Sequence, residues 1–146
     1  MDVKTSRFGK LMVAAGDLLT FPQGLIGLRN CHQWFLLADA QNPVLGWLQS
    51  VDDPEVALAL VSPRRYVPEY QLRVARRDLQ DLQLEHLRDA QVGVIVSRHE
   101  DALAVNLRAP VVINVEQRRG CQVISKDPLP VRRLLPLTPE VWRRSA

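Results

Sequence analysis

Short apolar runs of strand length, separated by turn residues and starting roughly every ten residues, limit what this chain can fold into. The runs are Phe8–Val13, Leu18–Phe21, Trp34–Ala38, Val44–Ser50 and Val56–Val61, then Val92–Ser97, Leu103–Leu107, Val111–Val115 and Gln122–Ser125. They are too short for helices and rich in Val, Ile and aromatic side chains, which suit a pleated, half-buried backbone. Pro22-Gln-Gly24, Gln41-Asn42-Pro43, Asp52-Asp53-Pro54 and Arg119-Gly120 supply the turns between them. That spacing predicts an all-β fold, a compact antiparallel barrel-like structure or pseudobarrel sandwich. In Phe8–Val13 the faces alternate, with Phe8, Lys10 and Met12 on one side and Leu11 and Val13 on the other. Val56-Ala-Leu-Ala-Leu-Val61 has no polar face and is expected between two packed layers.

One segment departs from the pattern. Arg76–Asp89 carries Leu79, Leu82 and Leu87 among charged residues, with Asp78 early and Arg88 late, which suits a short amphipathic helix. Leu84 falls off that stripe. A single helix cannot cover a parallel sheet, so a doubly wound α/β fold is excluded. Pro128–Ala146 holds four prolines and no obvious element. Thr138-Pro139-Glu140 has the composition of a helix start, but only six residues follow it. The expected organisation is a β-barrel domain over residues 1–127 and an irregular basic tail over 128–146.

A chain of 146 residues fits one domain, and 47% hydrophobic against 24% charged residues excludes a disordered polymer. No apolar run reaches the roughly 18 residues of a membrane helix, and the first ten residues lack a hydrophobic signal segment. Cys31 and Cys121 cannot build a disulfide framework and read as reduced thiols of a cytoplasmic protein. The net charge of +3 is unevenly placed. Residues 116–146 carry seven Lys and Arg against three Asp and Glu, while residues 1–115 carry 12 against 13. The body is near neutral and the end is basic, so any polyanion affinity would come from the end and fall with salt.

Catalytic chemistry leaves no clear mark. There is no Gly-x-Ser-x-Gly nucleophile turn and no Gly-rich phosphate or dinucleotide loop; Gly24-Leu-Ile-Gly27 sits in a turn beside Pro22. His32, His86 and His99 are scattered, and Cys31-His32 lacks a second cluster to complete a zinc site. No catalytic residue, metal or cofactor is therefore expected. Asp52-Asp53 is a pair of carboxylates that could do acid–base work, or could cap a turn before Pro54. Arg64, Arg65, Arg73, Arg76 and Arg77 surround Tyr66 and Tyr70, a mixture able to pair phosphates and stack bases. Pro63 and Pro68 interrupt that stretch, which reads better as an exposed loop or protein-contact surface.

Five segments, taken in order, resemble the FliW family of flagellar assembly factors. They are Thr5-Ser-Arg-Phe-Gly9, Phe21-Pro-Gln-Gly-Leu-Ile-Gly-Leu28, Trp47-Leu-Gln-Ser-Val-Asp-Asp-Pro54, Asn106-Leu-Arg-Ala-Pro-Val-Val-Ile-Asn114 and Arg119-Gly-Cys-Gln-Val123. The resemblance covers about residues 4–125 and implies a non-enzymatic cytoplasmic protein with a compact β-barrel-like fold. It also implies two partners: newly made flagellin, and CsrA, a small RNA-binding translational repressor. Flagellin would occupy the protein and leave CsrA free to repress flagellin mRNA; export of flagellin would release the protein to antagonise CsrA away from its RNA site. A free monomer is expected, with no membrane partner and no direct nucleic-acid binding.

Within those segments Phe21, Leu25, Val51, Val112 and Ile113 are core types, and Gly24, Gly120, Pro22 and Pro54 are turn types. Polar members are costly in a core and useful at a surface or strand end. Gln49, Ser50, Asp52, Asp53, Asn106 and Asn114 are thus candidates for partner contact or for locking turns, and Phe8 for a hydrophobic anchor. The chain departs from the family in being net basic where FliW-like proteins are commonly acidic. It also has Leu28 where an aromatic often follows the second glycine. The competing reading is an RNA- or ribosome-associated β module that uses the basic tail and the Arg64–Arg77 cluster.

Overall fold

The computed structural model of the chain describes residues 1–136. Its strands are β1 (Asp2–Thr5), β2 (Gly9–Met12), β3 (Leu19–Thr20), β4 (Gln33–Ala38), β5 (Gly46–Ser50) and β6 (Ala57–Val61). After the central break come β7 (Gln91–His99), β8 (Ala102–Val105), β9 (Val111–Asn114), β10 (Arg119–Gln122) and β11 (Arg133–Leu134). The β1–β2 hairpin stands apart. The order β7-β6-β5-β4-β3-β10-β9 returns to β7, because Gln91, Val92 and Gly93 pair with Ile113, Val112 and Val111. Seven strands thus close into a barrel, with β8 and β11 attached to β7 outside it. The pairings are antiparallel except β10–β3, which meet in parallel at Arg119 and Thr20.

Side-chain alternation along a strand turns this closed sheet into a two-sided object. Leu19, Trp34, Leu48, Leu60, Val111 and Ile113 point to a core that also holds Phe21 and Leu25, and that fills the barrel. The intervening residues Trp47, Ala59, Val61, Val94 and Val96 pack outward beneath β8, Tyr70 and Leu135. Strand β6 serves both cores, which is why Val56–Val61 has no polar face. Smaller clusters join the β1–β2 hairpin to Phe35 and the central segment to Val112, Cys121 and Val123.

The helix expected over 76–89 is instead two pieces of 3-10 helix, Arg76–Leu82 and Leu87–Asp89. Leu79 and Leu82 are three apart, which matches three residues per turn, and both are buried. Left-handed Gln83 (φ 54°) ends the first piece. This break turns Leu84 inward and leaves Leu87 exposed, the reverse of the stripe drawn from sequence. The run placed at Gln122–Ser125 is displaced, because the chain turns at 115–118, with Arg118 left-handed (φ 57°), before Arg119 begins β10. Residues 128–136, expected to begin an irregular tail, lie on the body. Leu134 pairs with Ala104, Leu135 is buried, and Pro130 O accepts a bond from Leu107 N–H. Thr138-Pro139-Glu140, Arg143 and Arg144 lie outside the described residues.

Gly120 is fixed by packing and not by a turn, since a Cβ there would collide with the edge of the Phe21 ring. Gly120→Ala is therefore expected to lower unfolding stability by about 1–3 kcal/mol or more, the cost of overpacking a core. Gly16→Ala, whose Cβ would meet nothing within 4 Å, should stay near wild type in the same urea-unfolding series.

Candidate functional site

The polar residues singled out in the sequence occupy three junctions of the barrel. At the corner after β5, Gln49 and Ser50 are fully buried. Gln49 Nε2 donates to Ser50 O (2.9 Å) and Pro54 O (3.4 Å), while its Oε1 has no hydrogen-bond partner among the described residues. Ser50 Oγ accepts from Asp53 N–H (3.0 Å), and Asp53 Oδ1 accepts from Glu55 N–H (2.9 Å). Asp52 reaches across to β4, where its Oδ2 accepts both His32 N–H (2.8 Å) and Gln33 N–H (2.9 Å). A carboxylate between two backbone donors is a strong, charge-assisted clamp. Pro54 O also accepts from Ser6 N–H (3.0 Å), tying this corner to the β1–β2 hairpin.

The hairpin turn rests on the same corner. Phe8 is half-buried, with its ring edge-on to Trp47 at 5.6 Å and 71°. Arg7 Cζ lies 4.0 Å from the Trp47 ring centroid, a cation–π arrangement. Burial lowers the Arg7 guanidinium pKa, and Asp39 pulls it back up.

Asn106 and Asn114 sit at the other two junctions. Asn106 Oδ1 accepts from Arg108 N–H (3.0 Å) and Ala109 N–H (3.2 Å), an Asx arrangement that turns the chain toward β9. Buried Asn114 donates from Nδ2 to Leu82 O (2.8 Å) and accepts from Gln117 N–H (3.3 Å), so it holds the 3-10 helix against β9. One connecting residue escaped the sequence reading. Gln122 accepts Ile26 N–H on Oε1 (2.9 Å) and donates from Nε2 to Ala109 O (2.9 Å), joining two of the resembling segments. Its place inside the Arg119–Val123 segment was the available signal.

The Arg-rich stretch is not a stacking platform. Tyr70 is buried and donates its hydroxyl to Leu107 O (2.8 Å), and Tyr66 packs on the outer core. Arg64 Nε donates to Tyr70 O (3.1 Å), and Arg73 pairs with Asp127 (3.1 Å). Burial pushes the Tyr70 hydroxyl to about 12 and the Cys121 thiol to about 11, the latter helped by Asp81 and Asp78. Both shifts move the groups away from reactivity near neutral pH. Among the described residues no group of His, Cys, Asp and Glu could hold a metal, and no helix is long and apolar enough to cross a membrane.

Comparison with known proteins gives a consistent result. The family model described as FliW protein matches residues 2–135. A flagellar assembly factor FliW of Moorella thermoacetica is 36% identical over 127 residues, covering 85% of this chain and 80% of the relative. That of Syntrophus aciditrophicus is 34% identical over 130 residues (87% and 82%), and that of Bdellovibrio bacteriovorus 33% over 129 (87% and 74%). A crystal structure of the flagellar assembly factor FliW superposes with a TM-score of 0.84 at 30% identity, covering 92% of this chain and 96% of that one.

The Asp52 clamp makes a prediction about stability. Asp52→Ala removes the acceptor of two solvent-exposed backbone N–H groups at the head of β4, which water can partly replace, and should cost about 1 kcal/mol in urea unfolding. Asp53→Ala, which removes one acceptor in an exposed turn, should cost less than half of that.

Proposed function

Since the chain belongs to the FliW family of flagellar assembly factors, we propose that it regulates flagellum biogenesis by binding, without catalysing a reaction. In this reading it acts in the cytoplasm and exchanges between two partners, flagellin and CsrA. Flagellin that accumulates occupies the protein; exported flagellin frees it to bind CsrA away from the RNA site, so that flagellin translation resumes. This is a linkage, in which two binding free energies are coupled through one shared protein. The observation that carries it is the match running from residue 2 to residue 135, which takes in every barrel strand. The partners themselves come from the resemblance of the five segments.

The barrel is read as the binding body, extended to residue 135 by β11 and Leu135, with the basic end as an appendage. Gln49, Ser50, Asp52, Asp53, Asn106 and Asn114 act in this reading by holding the binding loops in shape, and Phe8 by seating the hairpin on Trp47. The competing RNA-associated module loses support from the engagement of Tyr66 and Tyr70 in packing.

Titration calorimetry with CsrA and with flagellin from the same genome tests the proposal. Each should bind the free protein, and saturation with flagellin should weaken CsrA binding by about tenfold or more, equivalent to a coupling of roughly 1.4 kcal/mol. Failure to bind either partner would refute it.

A further inference from the structure

Beside the 3-10 helix lies a depression lined by none of Gln49, Ser50, Asp52, Asp53, Asn106 and Asn114. Two adjoining cavities of about 640 and 540 Å³ share the side chains Leu72, Val74, Leu79 and Leu87 and form one groove. Leu87 is 69% exposed at its lip because the left-handed turn at Gln83 breaks the helix, turning Leu84 inward and leaving Leu87 outward. A large exposed aliphatic side chain at the mouth of an apolar concavity differs from one scattered on a convex surface: it adds to area a partner can bury.

The rim has one dominant sign. Arg73, Arg76 and Lys126 line one cavity and Arg64 and Arg88 the other, against a single lining carboxylate, Glu85. Arg73 is offset by Asp127 at 3.1 Å, while Arg76, Arg88 and Lys126 are exposed. The rim thus attracts negative charge around an aliphatic floor.

From this combination we propose that the groove binds an acidic amphipathic helix of a partner protein. Its apolar face would lie on Leu72, Val74, Leu79 and Leu87, and its carboxylates would face the rim cations. Charge complementarity selects the acidic partner. The helical form follows from the walls. Residues 71–75 are already tied to the neighbouring segment through Lys126 N–H to Arg73 O (2.7 Å), so the groove offers side chains where a strand-adding partner would need free backbone. RNA is disfavoured because the floor is aliphatic and Tyr70, among the lining residues, is buried with its hydroxyl bonded to Leu107 O. The chain's own residues 137–146, with two arginines and one glutamate, carry the wrong charge.

The test uses the full chain and a labelled helical peptide with Leu at i, i+3, i+4 and i+7 and Glu elsewhere, followed by fluorescence anisotropy. Saturable binding is expected, weakening with salt, and at least about tenfold tighter than that of the same peptide with Lys for Glu. Leu87→Glu, at an exposed position, should reduce the affinity by about tenfold or more with unchanged thermal unfolding, and Leu87→Ser should reduce it by less. No binding of the acidic peptide, equal binding of the Lys peptide, or indifference to Leu87→Glu would overturn the proposal. So would single-stranded RNA binding that Arg76→Glu abolishes and Leu87→Glu leaves intact. None of these measurements involves CsrA or flagellin, so failure here is distinct from failure of the proposed function.

Discussion

The Phe21 ring sits on Gly120 inside the barrel, at the place where the seven-stranded ring is least well laced. Strand β3 is two residues long and pairs with β4 only at Leu19↔Trp34 and Thr20↔Gln33; its parallel contact with β10 is the single pair Thr20↔Arg119. Strand β4 runs on for four residues past that pairing, which leaves Leu36 partly in solvent. So short a ladder cannot hold a ring shut through backbone bonds alone. Interior packing does it: Phe21 meets Trp34 at 6.0 Å, and Trp34 anchors its indole N–H on Cys31 O (2.9 Å). Gly24 (φ +64°) lets the chain double back at this point, and a Cβ there would collide with the backbone of Leu28 and Arg29.

The polar residues extend the same logic to the loops. Asp52 fastens the start of β4, Ser50 and Gln49 shape the corner after β5, Asn106 turns the chain into β9, and Asn114 holds the 3-10 helix. Side chains that satisfy backbone donors and acceptors at strand ends make loops rigid without adding apolar area. A protein that acts by docking benefits, because a preorganised surface loses less entropy on association. The groove beside Leu87 lies outside this network, since none of these polar residues lines it.

The strand spacing was legible because alternation and turn chemistry are local signals, and β4 to β9 fall close to where the periodicity puts them. Within Trp47–Pro54 the polar residues stood out, but the complete burial of Gln49 and Ser50 did not, because it depends on what packs over them. What the sequence hid was set by tertiary contact. Gly120 looks like a turn residue, yet it serves Phe21, about a hundred residues away in the chain, a pairing no window can contain. Leu87 looked like core because three leucines fit a helical stripe, until a single left-handed residue at Gln83 broke the phase. Leu135 looked like tail because prolines surround it, although β8 offers it a place in the outer core. The charge excess, the most conspicuous compositional feature, remained the least informative about the barrel itself, since the body through residue 115 is near neutral.

Native-state hydrogen exchange tests most directly whether interior packing holds the seam. The amides of Thr20, bonded to Arg118 O at 2.9 Å, and Phe21, bonded to His32 O at 2.8 Å, report on it. If Phe21 clamps the ring, both should exchange only through global unfolding, with the same opening free energy as the amides of Leu60 and Val61 in β6. Exchange of Thr20 and Phe21 by local opening, at a free energy several kcal/mol below that of β6, would contradict this account.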